Sequence, residues 1–508
     1  MCRSKQAPRG TSCADRGHPV TAAKGGNNMR FNLPARTTLT LATALIPWGQ
    51  HRWARPLARR LRVGGTVVVG MSLMALGTLV AIPASVPPAA SPGSSPTGFS
   101  APTPGGHMQP AVGHSPHPRL AAMDSKGVFF CQKPSYPYRC YGPSQIRNAY
   151  SIQPLIDKGQ DGSGRTITII DAFQNPTMAS DLATFDSAFG LPAPPSFQTI
   201  APFGTPPFDP TDPNQVGWSS EIAIDVEWAH AVAPGAKIVL ALSPSGTDAD
   251  VVATQDYVIN HGIGDVISMS YIDGEQCMDP KVQQQEHTEF NKANARGVTL
   301  FAGSGDWGAA QYTCDSSSFI KAVGVPASDP DVTGVGGTEL DADLITGAYH
   351  NESVWNEPAI PAAGGGGFSS LYSRPAYQNG IEGVGSMRGV PDVSYSASSV
   401  DAVLVIWGSS GTPFEHWTFG GTSVATPQWA GIGAIADQSA QRDLGNINPA
   451  LYALSLGTSK GTTGFRDILT GNNDFPPISG YSAGHGWDAA SGLGSPIATD
   501  LVAALANK

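Results

Sequence analysis

The chain contains the segment Phe419-Gly420-Gly421-Thr422-Ser423-Val424-Ala425-Thr426-Pro427, which precedes a run rich in Ala, Ile and Trp at 428–436. Its two glycines permit a tight turn, and the run has the length of a helix. Ser423 is therefore predicted at a helix N-terminus, where free N–H groups and the helix dipole suit a nucleophile whose attack creates an oxyanion. The pattern is equally typical of an N-cap on a buried helix, so catalysis requires a base and an oxyanion donor elsewhere.

A second segment, 218–231, predicts a helix capped by Ser219 or Ser220. Glu221 and Asp225 are four residues apart, which places both carboxylates on one helix face. Like charges at this spacing repel, and burial raises the cost. A pair that shares one proton explains this arrangement better than a structural role does.

Three further residues have less specific surroundings. Glu227 is out of phase with the carboxylate pair and is expected to be solvated, and His230 is interpreted as a core or surface histidine. Asp306 follows the strand-like 301–303 in a Gly-rich turn, where an aspartate is usually a turn residue. A protonated aspartate beside an oxyanion is also able to donate a hydrogen bond.

Apolar runs alternate with helical patterns through the middle of the chain. The runs 166–171, 237–242, 266–270 and 298–302 predict buried strands, and 249–261 and 284–296 predict helices. This order indicates an α/β fold with a parallel sheet and right-handed crossovers. Sites in such sheets lie at the carboxyl ends of the strands, so Asp171, Ser270 and the turn 303–306 are expected at one edge.

Three motifs together resemble the sedolisin, or serine-carboxyl peptidase, family: 220–236, 303–309 and 420–427. The similarity extends from about Cys140 to the C-terminus. It implies a subtilisin-like parallel sheet flanked by helices, in a single catalytic domain with a C-terminal calcium loop, and acid-acting endopeptidase activity. The roles implied are nucleophile for Ser423, general base for Glu221, partner of that base for Asp225, and oxyanion-hole acid for Asp306.

The residue types agree with chemistry in acid. A carboxylate base has an ordinary pKa near 4, so it still accepts a proton at a pH where most histidines are charged. Asp306 has to stay protonated in order to donate. Both requirements predict a bell-shaped acid optimum that fails near neutral pH.

A Gly-rich loop near the C-terminus, residues 480–488, follows Asp467 and ends at a second carboxylate, Asp488. Carboxylates and backbone carbonyls are hard oxygen ligands suited to calcium, although a pair of Asx turns gives the same pattern. The segment resembles the sedolisin calcium loop, which implies one Ca²⁺ ion. The ligands implied are Asp467, Asp488 and the carbonyls of Ile468, Gly484 and Gly486, whereas His485 is not assigned as a ligand.

Charge is distributed unevenly along the chain. Residues 1–125 contain 13 Lys/Arg and 2 Asp/Glu, and the remainder contains 17 Lys/Arg and 38 Asp/Glu. The C-terminal part therefore has a formal charge of about −21, which argues against nucleic acid or anionic lipid as its partner. We expect protein or peptide substrates and a monomer, with membrane contact only through the N-terminal apolar segment.

The composition divides the chain into four segments. Residues 1–62 form a basic leader, expected to be disordered or cytoplasmic, and 63–84 form an apolar signal anchor or signal peptide. Residues 85–125 form a linker rich in Pro, Ser and Gly, and 126–508 form the peptidase domain. We expect the catalytic domain to lie outside the cell, secreted or anchored. Because the linker is too polar and repetitive to bury a core, the resemblance is to a member without a folded prodomain.

Four cysteines follow the apolar segment, an even number that agrees with an oxidising compartment. They allow three pairings. The short loop favours Cys131–Cys140, which leaves Cys277–Cys314.

Two other functions compete with this interpretation. A subtilisin-type Asp/His/Ser peptidase shares the Gly-Thr-Ser-x-Ala-x-Pro pattern, but it requires a histidine motif where this chain has Glu221 and Asp225. A non-catalytic surface-binding module on a Pro-rich stalk is the other alternative. Such a module is expected to lack at least one of the four catalytic residues, and all four are present.

Overall fold

A computed structural model describes residues 107–110, 128–133, 135–136, 138–410, 416–456 and 464–507. The predicted leader 1–62, the apolar segment 63–84 and most of the linker 85–125 lie outside these residues. Within the described ranges, no helix combines the length and the hydropathy needed to cross a bilayer.

The strands, in chain order, are β1 (Gln109–Pro110), β2 (Arg139–Tyr141), β3 (Thr166–Ala172), β4 (Phe197–Ile200), β5 (Lys237–Ser243), β6 (Val266–Met269), β7 (Tyr271–Gly274), β8 (Thr299–Gly303), β9 (Ala310–Tyr312), β10 (Phe319–Lys321), β11 (Gly324–Val325), β12 (Thr333–Ala342), β13 (Tyr349–Val354), β14 (Asn356–Glu357), β15 (Ala362–Ala363), β16 (Gly367–Ser373), β17 (Met387–Val390), β18 (Val393–Ser396), β19 (Asp401–Ile406), β20 (His416–Phe419), β21 (Phe465–Arg466) and β22 (Ser495–Pro496). The α-helices are α1 (Pro143–Ala149), α2 (Gln153–Ile156), α3 (Met178–Phe189), α4 (Pro213–Val232), α5 (Asp248–His261), α6 (Pro280–Ala295), α7 (Thr422–Ala440), α8 (Asn448–Leu456) and α9 (Ala498–Ala506).

The central sheet has the strand order β13-β12-β8-β6-β3-β5-β4, and β18 also pairs with β12. The pairs from β4 to β12 are parallel, whereas β13 is antiparallel to β12. Apolar residues meet across neighbouring strands, as Ile167 does with Ile238 on one side and Val266 on the other. The predicted parallel α/β sheet is confirmed, and the four predicted strands agree with the observed bounds to within one residue.

The strand order reverses direction at β3. After β3, the chain adds β4 and β5 on one side of β3, and then adds β6 on its other side. The helices that follow such a pair of strands leave on opposite sides, which opens a crevice at the carboxyl ends. Asp171, near the end of β3, and Ser270, directly after β6, lie on either side of this crevice.

Helices cover both faces of the sheet. One core cluster joins α4 and α7 to β3, β5 and β6, and a second joins α5 and α6 to the opposite face. The two helices of the first cluster pack closely because position 431 on α7 is a glycine. A Cβ atom added there would lie 2.6 Å from Val232 Cγ1 and 3.4 Å from the Ala229 carbonyl oxygen of α4.

Helix α4 begins earlier than the sequence pattern predicts. Pro213 occupies its first turn, and the Asp212 carboxylate caps it by accepting from Asn214 N at 3.0 Å. The predicted caps at Ser219 and Ser220 are therefore wrong. Both hydroxyls instead donate to carbonyl oxygens three residues back inside the helix.

Two disulfides lie outside the central sheet. Cys131 is bonded to Cys140 and Cys277 to Cys314, which confirms the favoured pairing. The first disulfide adjoins β2, which pairs in parallel with β19. It therefore fixes the start of the folded region to the strand pair β19–β20 that leads into α7.

Candidate active site

Ser423 is the second residue of α7, as the glycine turn predicts. Gly421 precedes the helix with φ of +124°, a conformation that residues with a Cβ atom rarely adopt. A Cβ atom at Gly420 would lie 2.5 Å from the Ser399 amide nitrogen, so this position also requires glycine. The turn directs the Ser423 hydroxyl inward, where Oγ is 3.5 Å from the Ser270 carbonyl oxygen. Ser423 thus lies beside the crevice at the end of β6.

Glu221 and Asp225 face this serine from α4. Both carboxyls are fully buried. The Ser270 hydroxyl donates to Asp225 Oδ1 at 2.8 Å. The Ser423 side chain lowers the pKa of the Glu221 carboxyl, against a larger effect of burial. The structure therefore brings the predicted nucleophile, the predicted base and its predicted partner together.

Asp171 joins this group, although the sequence analysis placed it only at the sheet edge. It is 1% exposed, and neither carboxylate oxygen has a hydrogen-bond partner among the described residues. An acidic residue at the end of an otherwise apolar strand is the signal that pointed to it. The topology was needed to show that this strand end lies beside α4.

Burial dominates the electrostatics of the three carboxyls. It raises the pKa values of Glu221, Asp225 and Asp171 well above the ordinary range. The negative charge of Asp225 raises the pKa of each of the other two further, and Asp306 adds to the effect on Glu221. Full ionisation of such a group is strongly disfavoured, so the carboxyls retain protons.

Asp306 lies after β8, across from the start of α7. It is 2% exposed. The Thr422 amide and hydroxyl both donate to Asp306 Oδ1, at 2.8 and 3.0 Å. Thr422 also accepts from Gly305 N at 3.1 Å, which ties the Gly-rich turn to the helix N-terminus. The structure thus places Asp306 at the predicted nucleophile, and the positioning role of Thr422 was not foreseen.

Glu227 is not solvated, so the expectation for this residue was wrong. It is fully buried, and its Oε2 accepts from Ile406 N at 3.0 Å. The position of Glu227 around the helix does not indicate exposure, because the second half of α4 is buried on every side and has no solvated face. His230 is a core histidine, with Nε2 2.8 Å from the Pro192 carbonyl oxygen and 3.1 Å from Asp186 Oδ1.

The predicted calcium ligands converge on one loop. Gly486 N donates to Asp467 Oδ2 at 3.1 Å, and Gly484 N donates to Asp488 Oδ2 at 3.0 Å. The side chain of Asp467 is 32% exposed, whereas burial raises the pKa of the half-buried Asp488. Ile468 is buried behind the loop. Two carboxylates at a loop that also offers backbone carbonyls are hard oxygen donors, so the residue types fit a calcium ion.

A separate carboxylate and histidine cluster is able to hold a metal ion. His287, Asp329 and Asp331 each offer one ligand atom, and these atoms lie within 4.8 Å of one another. His287 Nδ1 is 2.8 Å from Asp329 Oδ2, so the contact is also a simple ion pair when the histidine is protonated. Among the described residues this is the single group of three or more His, Cys, Asp or Glu ligands. His287 is 42 residues from Asp329 in sequence, so the three do not form a local motif.

Comparison with known proteins identifies relatives of this chain. The model of the subtilase family matches residues 216–451. Kumamolisin of Bacillus sp. (strain MN-32) is 32% identical over 401 residues, covering 77% of this chain and 68% of kumamolisin. Sedolisin of Pseudomonas sp. (strain 101) is 28% identical over 396 residues, covering 69% of this chain and 64% of sedolisin.

A solved structure is also similar. It is Pseudomonas sedolisin, a serine-carboxyl proteinase, complexed with two molecules of pseudo-iodotyrostatin, with a TM-score of 0.62 and 27% identity. The alignment covers 73% of this chain and 99% of that chain. Extended similarity in sequence and fold, together with the buried carboxyls around Ser423, shows that this chain belongs to the sedolisin family of serine-carboxyl peptidases.

Proposed function

We propose that this chain is an acid-acting serine endopeptidase that hydrolyses peptide bonds of proteins through Ser423, Glu221 and Asp225. The observation that carries the proposal is that Ser423 meets Glu221 and Asp225 in a group of buried carboxyls, where the Ser423 side chain lowers the pKa of Glu221. A serine hydroxyl beside a carboxylate has a base for its proton, and the helix N-terminus stabilises developing negative charge.

The reaction follows from these positions. Ser423 Oγ attacks the carbonyl carbon of the scissile bond while its proton passes to the Glu221 carboxylate. The carbonyl oxygen becomes an oxyanion, and protonated Asp306 donates a hydrogen bond to it. Glu221 then gives its proton to the leaving amine as the C–N bond breaks, which leaves an acyl-enzyme. Water, deprotonated by Glu221, attacks the ester and releases Ser423.

We expect activity in acid because the protonation of one carboxyl depends on the charge of the other. Burial raises the pKa values of Glu221 and Asp225, and the negative charge of Asp225 raises that of Glu221 further. The first proton lost from the pair leaves one carboxylate and one acid, which is the state that the reaction needs. Loss of further protons at higher pH places like charges in a buried site, so we expect activity to fall towards neutral pH.

A calcium ion is proposed for the C-terminal loop, with Asp467, Asp488 and the carbonyls of Ile468, Gly484 and Gly486 as ligands. The convergence of both carboxylates on the same loop supports this assignment. When bound, the ion would supply positive charge that holds the loop together and would take no part in the chemistry of Ser423.

Export is proposed as well. Two disulfides in the described region are typical of a protein that matures in an oxidising compartment. We propose a secreted or membrane-anchored monomer whose catalytic domain lies outside the cell. The acidic composition of its C-terminal part agrees with function in an acidic exterior.

The test is hydrolysis of an unfolded protein by the full chain between pH 3 and 7.5. We expect activity that is confined to acid and falls by about 10⁴-fold or more in Ser423→Ala, because a nucleophile is removed. Ser439→Ala, in the same helix but at its far end, is the matched control and is expected to retain activity. Activity that rises towards neutral pH would instead indicate a histidine base, and a folded but inert chain would favour a binding module.

A further inference from the structure

Glu357 is a buried carboxyl outside the group described above. It belongs to β14 and is 7% exposed. Its Oε1 accepts from Val400 N at 2.9 Å, and its Oε2 accepts from Ser399 N at 3.2 Å. The Ser398 hydroxyl also donates to Oε1. A single side chain therefore holds three consecutive residues of one loop.

This loop supports the turn that precedes the proposed nucleophile. Gly421 N donates to the Ala397 carbonyl oxygen at 2.7 Å. A Cβ atom at Gly420 would lie 2.6 Å from the Ser398 carbonyl oxygen, so the loop and the turn are in direct backbone contact. Because Ser423 follows Gly421 by two residues, a shift of the loop changes where Ser423 Oγ lies.

The hairpin that carries Glu357 also holds the turn of the proposed oxyanion acid. Glu357 lies opposite Ala362 in the antiparallel pair β14–β15. The next residue, Ala363, donates its amide to the Asp306 carbonyl oxygen at 3.0 Å and accepts from Gly308 N at 2.8 Å. One end of this support is therefore the backbone of Asp306, and the other end is the loop held by the Glu357 carboxyl.

We propose that Glu357 is a positioning residue that fixes the distance between Ser423 and Asp306. It acts through the backbone and not on the substrate, and the inference rests on the proposed peptidase function. In that reaction Ser423 Oγ and the Asp306 carboxyl meet the same carbonyl group, one at its carbon and the other at its oxygen. A misplacement of about 1 Å between groups that act together costs about 10²-fold in rate.

The acceptor oxygens of Glu357 are what the loop requires. Burial raises the pKa of Glu357, whereas hydrogen bonds from Ser398 and Val400 lower it. A protonated carboxyl still accepts through its carbonyl oxygen, so part of the restraint persists when the charge is lost. Backbone amides only donate, so a side chain of the same length without acceptor oxygens releases the loop.

The test compares Glu357→Met and Glu357→Gln in the full chain, with one peptide substrate at acidic pH. Methionine has a similar length but no acceptor oxygen, so we expect kcat to fall at least about 10-fold while KM stays within about twofold of wild type. Glutamine keeps one acceptor oxygen and is expected to recover most of kcat.

Glu275→Met is the matched control. Glu275 is also a buried glutamate, and its Oε2 accepts from Ser370 N at 2.6 Å and from the Ser370 hydroxyl at 2.8 Å. Its donors lie on β16 and not on the loop behind Gly420. We expect kcat of this variant to stay within about threefold of wild type.

A second measurement separates the geometry of the site from a loss of stability. Ser423 Oγ is able to add to the carbon of a peptide aldehyde and form a hemiacetal, which resembles the transition state, whereas the corresponding peptide alcohol cannot react. Glu357→Met should weaken inhibition by the aldehyde at least about 10-fold and inhibition by the alcohol by less than about twofold. Ser398→Ala removes one donor of the same contact and should shift kcat and the aldehyde-to-alcohol ratio in the same direction, by about threefold.

The outcomes separate the two proposals. An active wild-type chain in which Glu357→Met and Ser398→Ala match Glu275→Met, in kcat and in the aldehyde-to-alcohol ratio, would overturn this inference alone. If Glu357→Met does not fold, the same comparison for Ser398→Ala decides. A folded wild-type chain that hydrolyses no peptide and does not prefer the aldehyde would refute the proposed function, and this inference with it.

Discussion

Two groups of carboxyls in this protein differ in what surrounds them. Glu221, Asp225 and Asp171 are buried, and their near charges are other carboxyls. Asp467 and Asp488 lie at a half-open loop whose backbone amides already contact them. The first group avoids charge by keeping protons, whereas the second lies at the loop for which a calcium ion is proposed. Burial and the nearby backbone thus decide whether a carboxyl suits the proposed proton transfer or the proposed metal binding.

The largest expected effect comes from Glu221→Gln in the buried group. We expect kcat to fall about 10³-fold, because a general base is removed. Thermal stability at neutral pH should not decrease, since the change removes an acid from a buried and repulsive environment.

Glu227→Gln is the control for that variant. Glu227 is buried in the same helix but accepts from Ile406 N, which a glutamine side chain still allows. Activity should remain within about threefold of wild type, in line with a change outside the machinery. Equal losses in both variants would mean that burial in α4, and not the position beside Ser423, is what matters.

Two substitutions at Asp306 distinguish a role as hydrogen-bond donor from a role of its charge. Asp306→Ala removes the proposed oxyanion donor and is expected to lower kcat by about 10²-fold or more. Asp306→Asn keeps a donor and an acceptor for Thr422, so it should retain more activity than the alanine variant. Steady-state kinetics on one peptide across acid pH compares the two. An asparagine variant as poor as the alanine variant would contradict the donor role.

Calcium should affect stability more than chemistry. Saturating Ca²⁺ at about 100 times its Kd contributes about 2.7 kcal/mol, which corresponds to a Tm increase of roughly 3 °C for a domain of this size. Asp488→Asn should remove this dependence in calorimetry with and without chelator. Asp474→Asn is the control, since Asp474 accepts from Gly480 N at 2.6 Å but is not in the ligand set. A Tm that is insensitive to calcium in the wild type would refute the site.

A substitution at Asp437 tests how a buried carboxyl outside the active site affects thermal stability. We expect this effect to be the smallest of the series. Burial raises its pKa to about 8, while Oδ1 accepts from Leu444 N at 3.0 Å. Ionisation of this buried carboxyl destabilises the folded protein. This loss of stability is absent below about pH 4, grows as pH rises and is complete above about pH 8. Asp437→Asn should therefore match the wild-type Tm at pH 4 and exceed it by about 2 °C at pH 8. A variant that is less stable at pH 8 would show that the charge is stabilising.

Local patterns predicted the elements that depend on nearby residues. The apolar runs gave the parallel strands, the glycines at 420–421 gave the turn before Ser423, and the spacing of Glu221 and Asp225 identified the repulsive pair. The start of α4 is also predictable from the sequence, because Asp212 and Pro213 form an ordinary capping signal.

Features that depend on tertiary packing were not predictable in this way. Glu227 is buried because other elements surround α4 on all sides, which no helical phase reveals. Asp171 joins the site because β3 lies next to β6, and His287 meets Asp329 across 42 residues of chain. The strand at 107–110 has the composition of a linker, and only its partner on β7 makes it a strand.

Gly431 affects the distance between α7 and α4. It lies two turns along α7 from Ser423, outside the site, yet the absence of a side chain there lets the helix of the proposed nucleophile come close to the helix of its proposed base. A methyl group at this point would push the two helices apart and widen the gap across which the proposed proton transfer takes place. Proton transfer is steeply sensitive to that gap, so in the proposed reaction the rate of bond cleavage would depend on a contact outside the site.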